Sequence, residues 1–391
     1  MSLQLTLVDT QDKLTALKTE WSSLAGENPF LSWDWADTWW QHYRTPQVKL
    51  FVLAVRDERG QLVGIAPWKI RQTLTRGRVV RFIGSNEVCG DRLTILAQPD
   101  RRVNVLQVIA QWLASDARGT WDLLELTGVE QSNHCITEFA TMLADLGHQT
   151  DIRQDLNCWK IALPKTWDEY LAMLSPQRRN RTRKILKKTV DVQSGCVRLV
   201  TSPEDFQCGF DVLVDLHQKR RNMLGEPGCF ASERYAAFHH EFTRRMLDQG
   251  RLRLAWLELE GQPAAVEYSI LGGTTIYNYQ SGFEPALGDH HPGWANLVAT
   301  LRWAISAGYN SFDMLRGDEP YKASFGAQSA PLMQVRIVGY QNSAKLRHAA
   351  WRTSATVKRW AREGLRIAND LRQPVEKKTE EVKTENEGAV K

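Results

Sequence analysis

Seventeen residues, Ser311 to Ala327, read SFDMLRGDEPYKASFGA and string together an acid, an arginine, turn signals and a Tyr-Lys pair. Asp313 falls on an expected strand among bulky Phe312, Met314 and Leu315, with Arg316 and Lys322 as natural partners. A carboxylate in such company is shifted in either direction, by desolvation or by pairing. Gly317 and Gly326 permit close backbone approach to a ligand. The stretch reads both as the floor of an active site and as a structural ion pair.

Two further stretches could bind anions. In SPQRRNRTRKILKK, Ser175 is a natural N-cap with Pro176 at the first helical position, and the helix that follows carries cations and no acid. Arg179, Arg183 and Lys187 lie on its cationic side, so it faces either an anion or solvent. In SGFEPALGDHHPGWANLVATL a strand leads through a loop into a helix, with Pro292 in the first turn. Free N–H groups at Gly293, Trp294 and Ala295 would then point at a phosphate; an ordinary helix cap fits the same residues. Only His290 and His291 stand near these stretches, and the nine histidines have no ligand spacing, which argues against a catalytic metal.

The elements that must position these residues recur. A strand at 3–8 and a helix at 10–25 precede the aromatic FLSWDWADTWWQHY, then the hairpin LFVLAVRDERG/QLVGIAPWKI. A strand near 79–84, a helix near 102–116 and the strand WDLLELTG follow. The second half repeats the order: the hairpin RLRLAWLELEG/QPAAVEYSILG, a strand TTIYNYQSG, a helix near 294–307, then SFDMLR. Trp112 precedes Asp122 by ten residues and Trp303 precedes Asp313 by the same ten, so the pattern predicts a duplication with a boundary near residue 150.

At 391 residues the chain exceeds the usual capacity of one core. Its composition, 42% hydrophobic and 24% charged, is that of a globular protein, and it lacks an 18-residue apolar run or a signal-like N-terminus, which predicts a cytoplasmic location. Six scattered cysteines predict free thiols. Residues 170–190 carry +7 and residues 342–372 carry +6 against a total of +5, so an acidic body bears two basic patches. Residues 342–372 have the spacing of a basic amphipathic helix, and 373–391 the composition of a disordered tail.

The order of basic helix, hairpin, HPGWANL loop-helix and FDMLRGDEPYKASFGA resembles the CelD/BcsL-type acetyltransferases of the GNAT superfamily, which are associated with cellulose and exopolysaccharide biosynthesis. The resemblance covers residues 155 to 335 well and the first half as a degenerate copy. It implies tandem GNAT-like α/β (α+β) domains at 1–150 and 151–341, with mixed sheets flanked by helices. Acetyl-CoA or another acyl-CoA is the implied co-substrate. The acceptor would be an amine or hydroxyl of a small molecule or sugar precursor. The loop from Asp289 to Asn296, with His291, Gly293, Trp294, Ala295 and Asn296, takes the pyrophosphate-binding position, although only Gly293 remains of the usual glycine signature.

GNAT chemistry is direct attack of the acceptor on a thioester, assisted by a proton acceptor and a donor to the leaving thiolate. Under the resemblance Asp313 or Glu267 is the base; Glu267 is the acid that interrupts an apolar strand, a pattern that equally fits an outward-facing strand residue. Tyr279 or Tyr321 is the acid. Asp313, Arg316, Tyr321 and Lys322 match positions near the acceptor end, where they either do chemistry or build the site, and Arg179, Arg183 and Lys187 hold an acidic acceptor or the CoA phosphates. Two alternatives use the basic patches differently. A transferase related to the Fem-type enzymes would bind aminoacyl-tRNA; a non-catalytic accessory protein would dock on an anionic inner-membrane surface or a polysaccharide synthase.

Overall fold

The structure, a computed structural model, describes residues 3–193 and 195–353. Residues 3–339 belong to one compact unit. The chain then continues as a helix from 342, described as far as 353; the rest of the expected basic helix and the expected tail lie outside the described residues.

The first half runs β1 (Gln4–Val8), α1 (Gln11–Ala16), α2 (Lys18–Ala25), α3 (Trp33–Tyr43), β2 (Val48–Leu50), β3 (Val52–Arg56), β4 (Leu62–Ala66), β5 (Trp68–Thr73), β6 (Gly77–Phe82) and β7 (Leu96–Ala97). It ends with α4 (Arg102–Ala114), β8 (Leu123–Glu130), α5 (His134–Asp145) and β9 (Gln149–Ala162). The second half runs α6 (Trp167–Met173), α7 (Pro176–Thr189), β10 (Gly195–Leu199), α8 (Pro203–Met223), α9 (Glu233–Asp248), β11 (Leu252–Leu259), β12 (Gln262–Gly272) and β13 (Thr275–Phe283). It closes with α10 (Pro292–Ser306), β14 (Ser311–Arg316), α11 (Tyr321–Ser324) and β15 (Gln328–Val338).

The expected hairpins form. In the second, Glu260 and Gly261 both take positive φ, 52° and 77°, the two-residue turn whose twist suits an antiparallel pair. Trp112 and Trp303 lie on helices that lead into parallel strands, β8 beside β6 and β14 beside β13. The halves differ at the first hairpin: β1-β3-β4-β7 form a separate four-stranded sheet, while β5, β6 and β2 turn into an eleven-stranded sheet, ordered β10-β11-β12-β13-β14-β9-β15-β8-β6-β5-β2.

Strand β15 lies between β9 and β8, so the last strand of the unit bonds on both sides to strands from the first half. The tryptophan-rich segment explains itself in the same way: Trp35 on α3 packs edge-on against Phe238 and Phe242 of α9, with centroids 5.0 and 4.9 Å apart. Such pairs contribute about 0.5–1.5 kcal/mol each beyond burial.

Candidate active site

Strands β13 and β14 pair in parallel at Thr275–Ser311, Ile276–Phe312 and Tyr277–Asp313, and pairing ends there although both strands continue. A register shift at Tyr268/Ser269, which face Gln280 and Asn278, leaves Tyr279 as the extra residue of β13 and bends the strand further. The divergence opens two cavities that share Arg220, Asn278, Ser281 and Tyr321. One, of about 180 Å³, lies beneath the start of α10; the other, of about 480 Å³, is lined by both halves of the chain.

Glu267 of β12 lines the smaller cavity and is 4% exposed, with Oε2 lacking any partner. Burial pushes its carboxyl up to about 7, against the opposing pull of Thr300 and Arg253. That is the range of a general base working near neutral pH. Asn296 of α10 lines the same cavity, buried, with both amide atoms unpartnered. Unsatisfied buried polar atoms are costly, and three of them around one cavity point to a polar ligand.

Helix α10 starts at Pro292, with His291 as a left-handed N-cap (φ 50°) whose side chain makes no capping bond. The first-turn amides of Gly293 and Trp294 have no intrahelical partner, and both residues line the cavity. Ala295 corrects the expectation: its N–H donates to the His291 carbonyl at 3.0 Å, and its side chain is buried in the core. His291 is exposed and lines neither cavity.

The residues around the opening motif divide into bonded struts and one available hydroxyl. Asp313 is 1% exposed and lines neither cavity; Oδ2 accepts from Arg92 Nε at 2.7 Å and Oδ1 accepts from the Leu315 N–H at 2.9 Å. With both oxygens engaged it has the ion-pair arrangement rather than that of a base. Arg316 borders the larger cavity but gives Nε to Asp91 at 2.5 Å and another N–H to the Gly90 carbonyl at 2.9 Å. Lys322 donates to the carbonyls of Leu315, Arg316 and Gly317 at 3.1, 3.0 and 3.1 Å, which ties down the loop. Tyr279 donates to the Val88 carbonyl, and burial holds its hydroxyl well above the usual tyrosine value. Tyr321 lines both cavities, and burial raises its phenol to about 12, which keeps it protonated.

The basic helix forms as expected, with the Ser175 side chain accepting from the Arg178 N–H. Arg179 is spent on the carbonyl end of α6, donating to Leu171, Ala172 and Leu174. Arg183 and Lys187 are exposed and line neither cavity. Arg181 also lines neither cavity, but its guanidinium lies 4.5 Å from the ring of Trp294, which lines the smaller one.

Sequence reasoning missed Arg220, Asn278, Asp91 and Arg92. Asn278, a polar residue in the strand TTIYNYQSG, carried a local signal; the others come from distant segments and carried none.

Residues 176–323 match the family model described as Acetyltransferase (GNAT) domain. No protein of curated description matches the chain in sequence. Solved structures with a similar fold include FemX, with 11% identity and a TM-score of 0.59 over 85% of this chain and 97% of that one. A conserved protein of unknown function from Bacteroides thetaiotaomicron VPI-5482 gives 11% and 0.55 over 86% and 100%. L-PGS from Bacillus licheniformis gives 11% and 0.52 over 90% and 97%. The chain thus has a GNAT-like mixed α/β fold, and within it residues 176–323 match the GNAT acetyltransferase domain.

Proposed function

We propose that the chain is an acyl-CoA-dependent acyltransferase whose thioester enters the smaller cavity and whose amine or hydroxyl acceptor enters the larger one. The observation that carries this reading is the buried carboxyl of Glu267, with its Oε2 unpartnered, beside the unpartnered amide of Asn296, under the open first turn of α10. Gly293 and Trp294 N–H groups, with Arg181 alongside, suit the pyrophosphate. Asn296 suits the amide-bearing arm of CoA. The acceptor attacks the thioester carbonyl carbon, Glu267 takes the acceptor's proton directly or through water, and the Tyr321 hydroxyl protonates the departing sulfur. Tyr279, Arg316 and Lys322 hold the walls. On the motif resemblance, the acceptor is a small molecule or sugar precursor of cellulose or exopolysaccharide synthesis, and the protein works in the cytoplasm or at the inner-membrane surface.

Calorimetric titration with acetyl-CoA and longer acyl-CoAs tests the donor, with Tyr321→Phe and Glu267→Gln expected to keep binding and to lose at least about 100-fold in turnover. Absence of binding by every acyl-CoA would overturn the reading. A second reading, an aminoacyl-tRNA donor, is favoured by exposed Arg183, Lys184, Lys187 and Lys188, none in an ion pair among the described residues. It requires charged tRNA to bind with a steep inverse dependence on salt.

A further inference from the structure

A third cavity, of about 200 Å³, lies in the first half among α3, β2, β5, β6 and the segment after β6. None of the residues assigned above to acyl transfer lines it. Lys69 and Arg71, two apart on β5, line it together, and Arg81 of β6 stands directly opposite Lys69 in the antiparallel register. Like charges at facing positions of a sheet repel, and burial removes the water that would screen them.

The counter-charges do not balance this. Arg81 is committed to Glu125, which its Nε reaches at 2.7 Å. Glu87, the acid lining the cavity, is committed to Arg234 at 2.9 Å and to the Ser232 hydroxyl at 2.7 Å. Lys69, 5% exposed, has no carboxylate within ion-pair distance among the described residues; Nζ rests 3.6 Å from the centre of the Trp39 ring and 3.5 Å from the Ser85 carbonyl. Arg71 is exposed at the rim and likewise forms no ion pair among the described residues. Trp39 stacks on Tyr43, centroids 5.2 Å apart and rings inclined by 10°, and the Arg234 guanidinium lies 4.5 Å from the centre of the Tyr43 ring. Stacked aromatic rings therefore form one wall, and of the four basic residues that line the cavity Lys69 and Arg71 have no acid partner among the described residues.

We propose that this cavity is a second binding site, which takes a small oxyanion, a phosphate or carboxylate group, between Lys69 and Arg71. Desolvation, with Arg81, Arg71 and Arg234 nearby, holds the Lys69 amine well below its ordinary value. An arriving anion opposes that effect, favouring the protonated amine and giving it and Arg71 the counter-charge they lack. The site is independent of the acyl-transfer reading, since it shares only Glu87 with the larger cavity.

The test is titration calorimetry and thermal unfolding of the full chain with sodium phosphate, glucose 6-phosphate and malonate, at ionic strength held constant with chloride. The expected result is saturable stabilisation of the wild type by at least one probe. Lys69→Met, which keeps length and removes charge, should weaken that probe at least about tenfold, and Arg71→Gln should weaken it several-fold. Both variants should respond to acetyl-CoA as the wild type does. Should Lys69→Met fail to fold, the exposed Arg71→Gln decides alone. Tighter binding of glucose 6-phosphate than of inorganic phosphate assigns the oxyanion to a larger molecule; equal binding assigns it to the free ion. No saturable effect of any probe on the wild type, or an equal effect in wild type and variants, overturns the site.

Discussion

Glu267 and His217 are buried titratable groups whose shifts run in opposite senses. Burial raises Glu267 from its ordinary 4.5 to about 7, so the folded chain holds an extra proton in that window and stability falls as pH rises through it. Burial lowers His217 from 6.5 to about 4, so the unfolded chain holds the extra proton and stability rises with pH between those values. The two slopes offset each other between 4.5 and 6.5. In Glu267→Gln only the second remains: urea unfolding at stepped pH should show stability climbing from about pH 4 to about 6.5, steeper than in the wild type. The same variant should be more stable than the wild type at neutral pH, while acyl transfer by the wild type should rise through about pH 7 as Glu267 becomes ionised. A wild-type rate that stays flat across that range would remove Glu267 as the base.

At the scale of elements, the site exists because β13 leaves β14 while remaining paired with β12. Two glycines on its borders have different tasks. A Cβ on Gly282 would lie 2.3 Å from the His217 backbone nitrogen and 2.4 Å from the Leu216 carbonyl carbon, so β13 must approach α8 without a side chain. Gly282→Ala is expected to destabilise by about 1–3 kcal/mol, read from urea unfolding, because backbone atoms of a packed helix cannot step aside separately. At Gly293 the nearest atom to a new Cβ is 3.4 Å away, on the Phe283 ring. Gly293→Ala should fold normally and weaken acyl-CoA binding about tenfold, since the methyl occupies the donor cavity at the first turn of α10. Calorimetry that finds unchanged affinity would place the donor elsewhere.

At the scale of the whole molecule, the strand part of the motif that looked like a site is a seam, while Tyr321 of the same motif lines both cavities. Asp313 pairs with Arg92 and Arg316 with Asp91, so the end of β14 is fastened to the segment that precedes β7. Farther along, His42 meets Glu241 at 2.7 Å and Asp37 meets Arg245 at 2.8 Å, again between the halves. Removing one member of a buried pair leaves the other charge uncompensated, so Asp91→Asn should cost about 3–5 kcal/mol. Asp91→Asn/Arg316→Gln together should cost less than Asp91→Asn alone. Calorimetric unfolding should show residues of both halves melting in one transition, because β15 and these pairs cross between them. Two resolved transitions in the wild type would contradict that coupling.

Local chemistry makes much of this legible in the sequence. Alternation and turn residues announced both hairpins, Ser175-Pro176 announced α7, and Pro292 marked the start of α10 to within its first turn. Those signals act between neighbours in the chain, where side-chain period and backbone restriction decide. The roles of charged residues were not legible, because a charge is defined by what faces it. Asp313 and Arg316 are struts only because Arg92 and Asp91, more than 200 residues earlier, fold against them. Glu267 is left without a partner for its Oε2 because β13 and α10 enclose it in a cavity. Burial and partnering are properties of the tertiary arrangement, and they decided which acid is bonded and which is available.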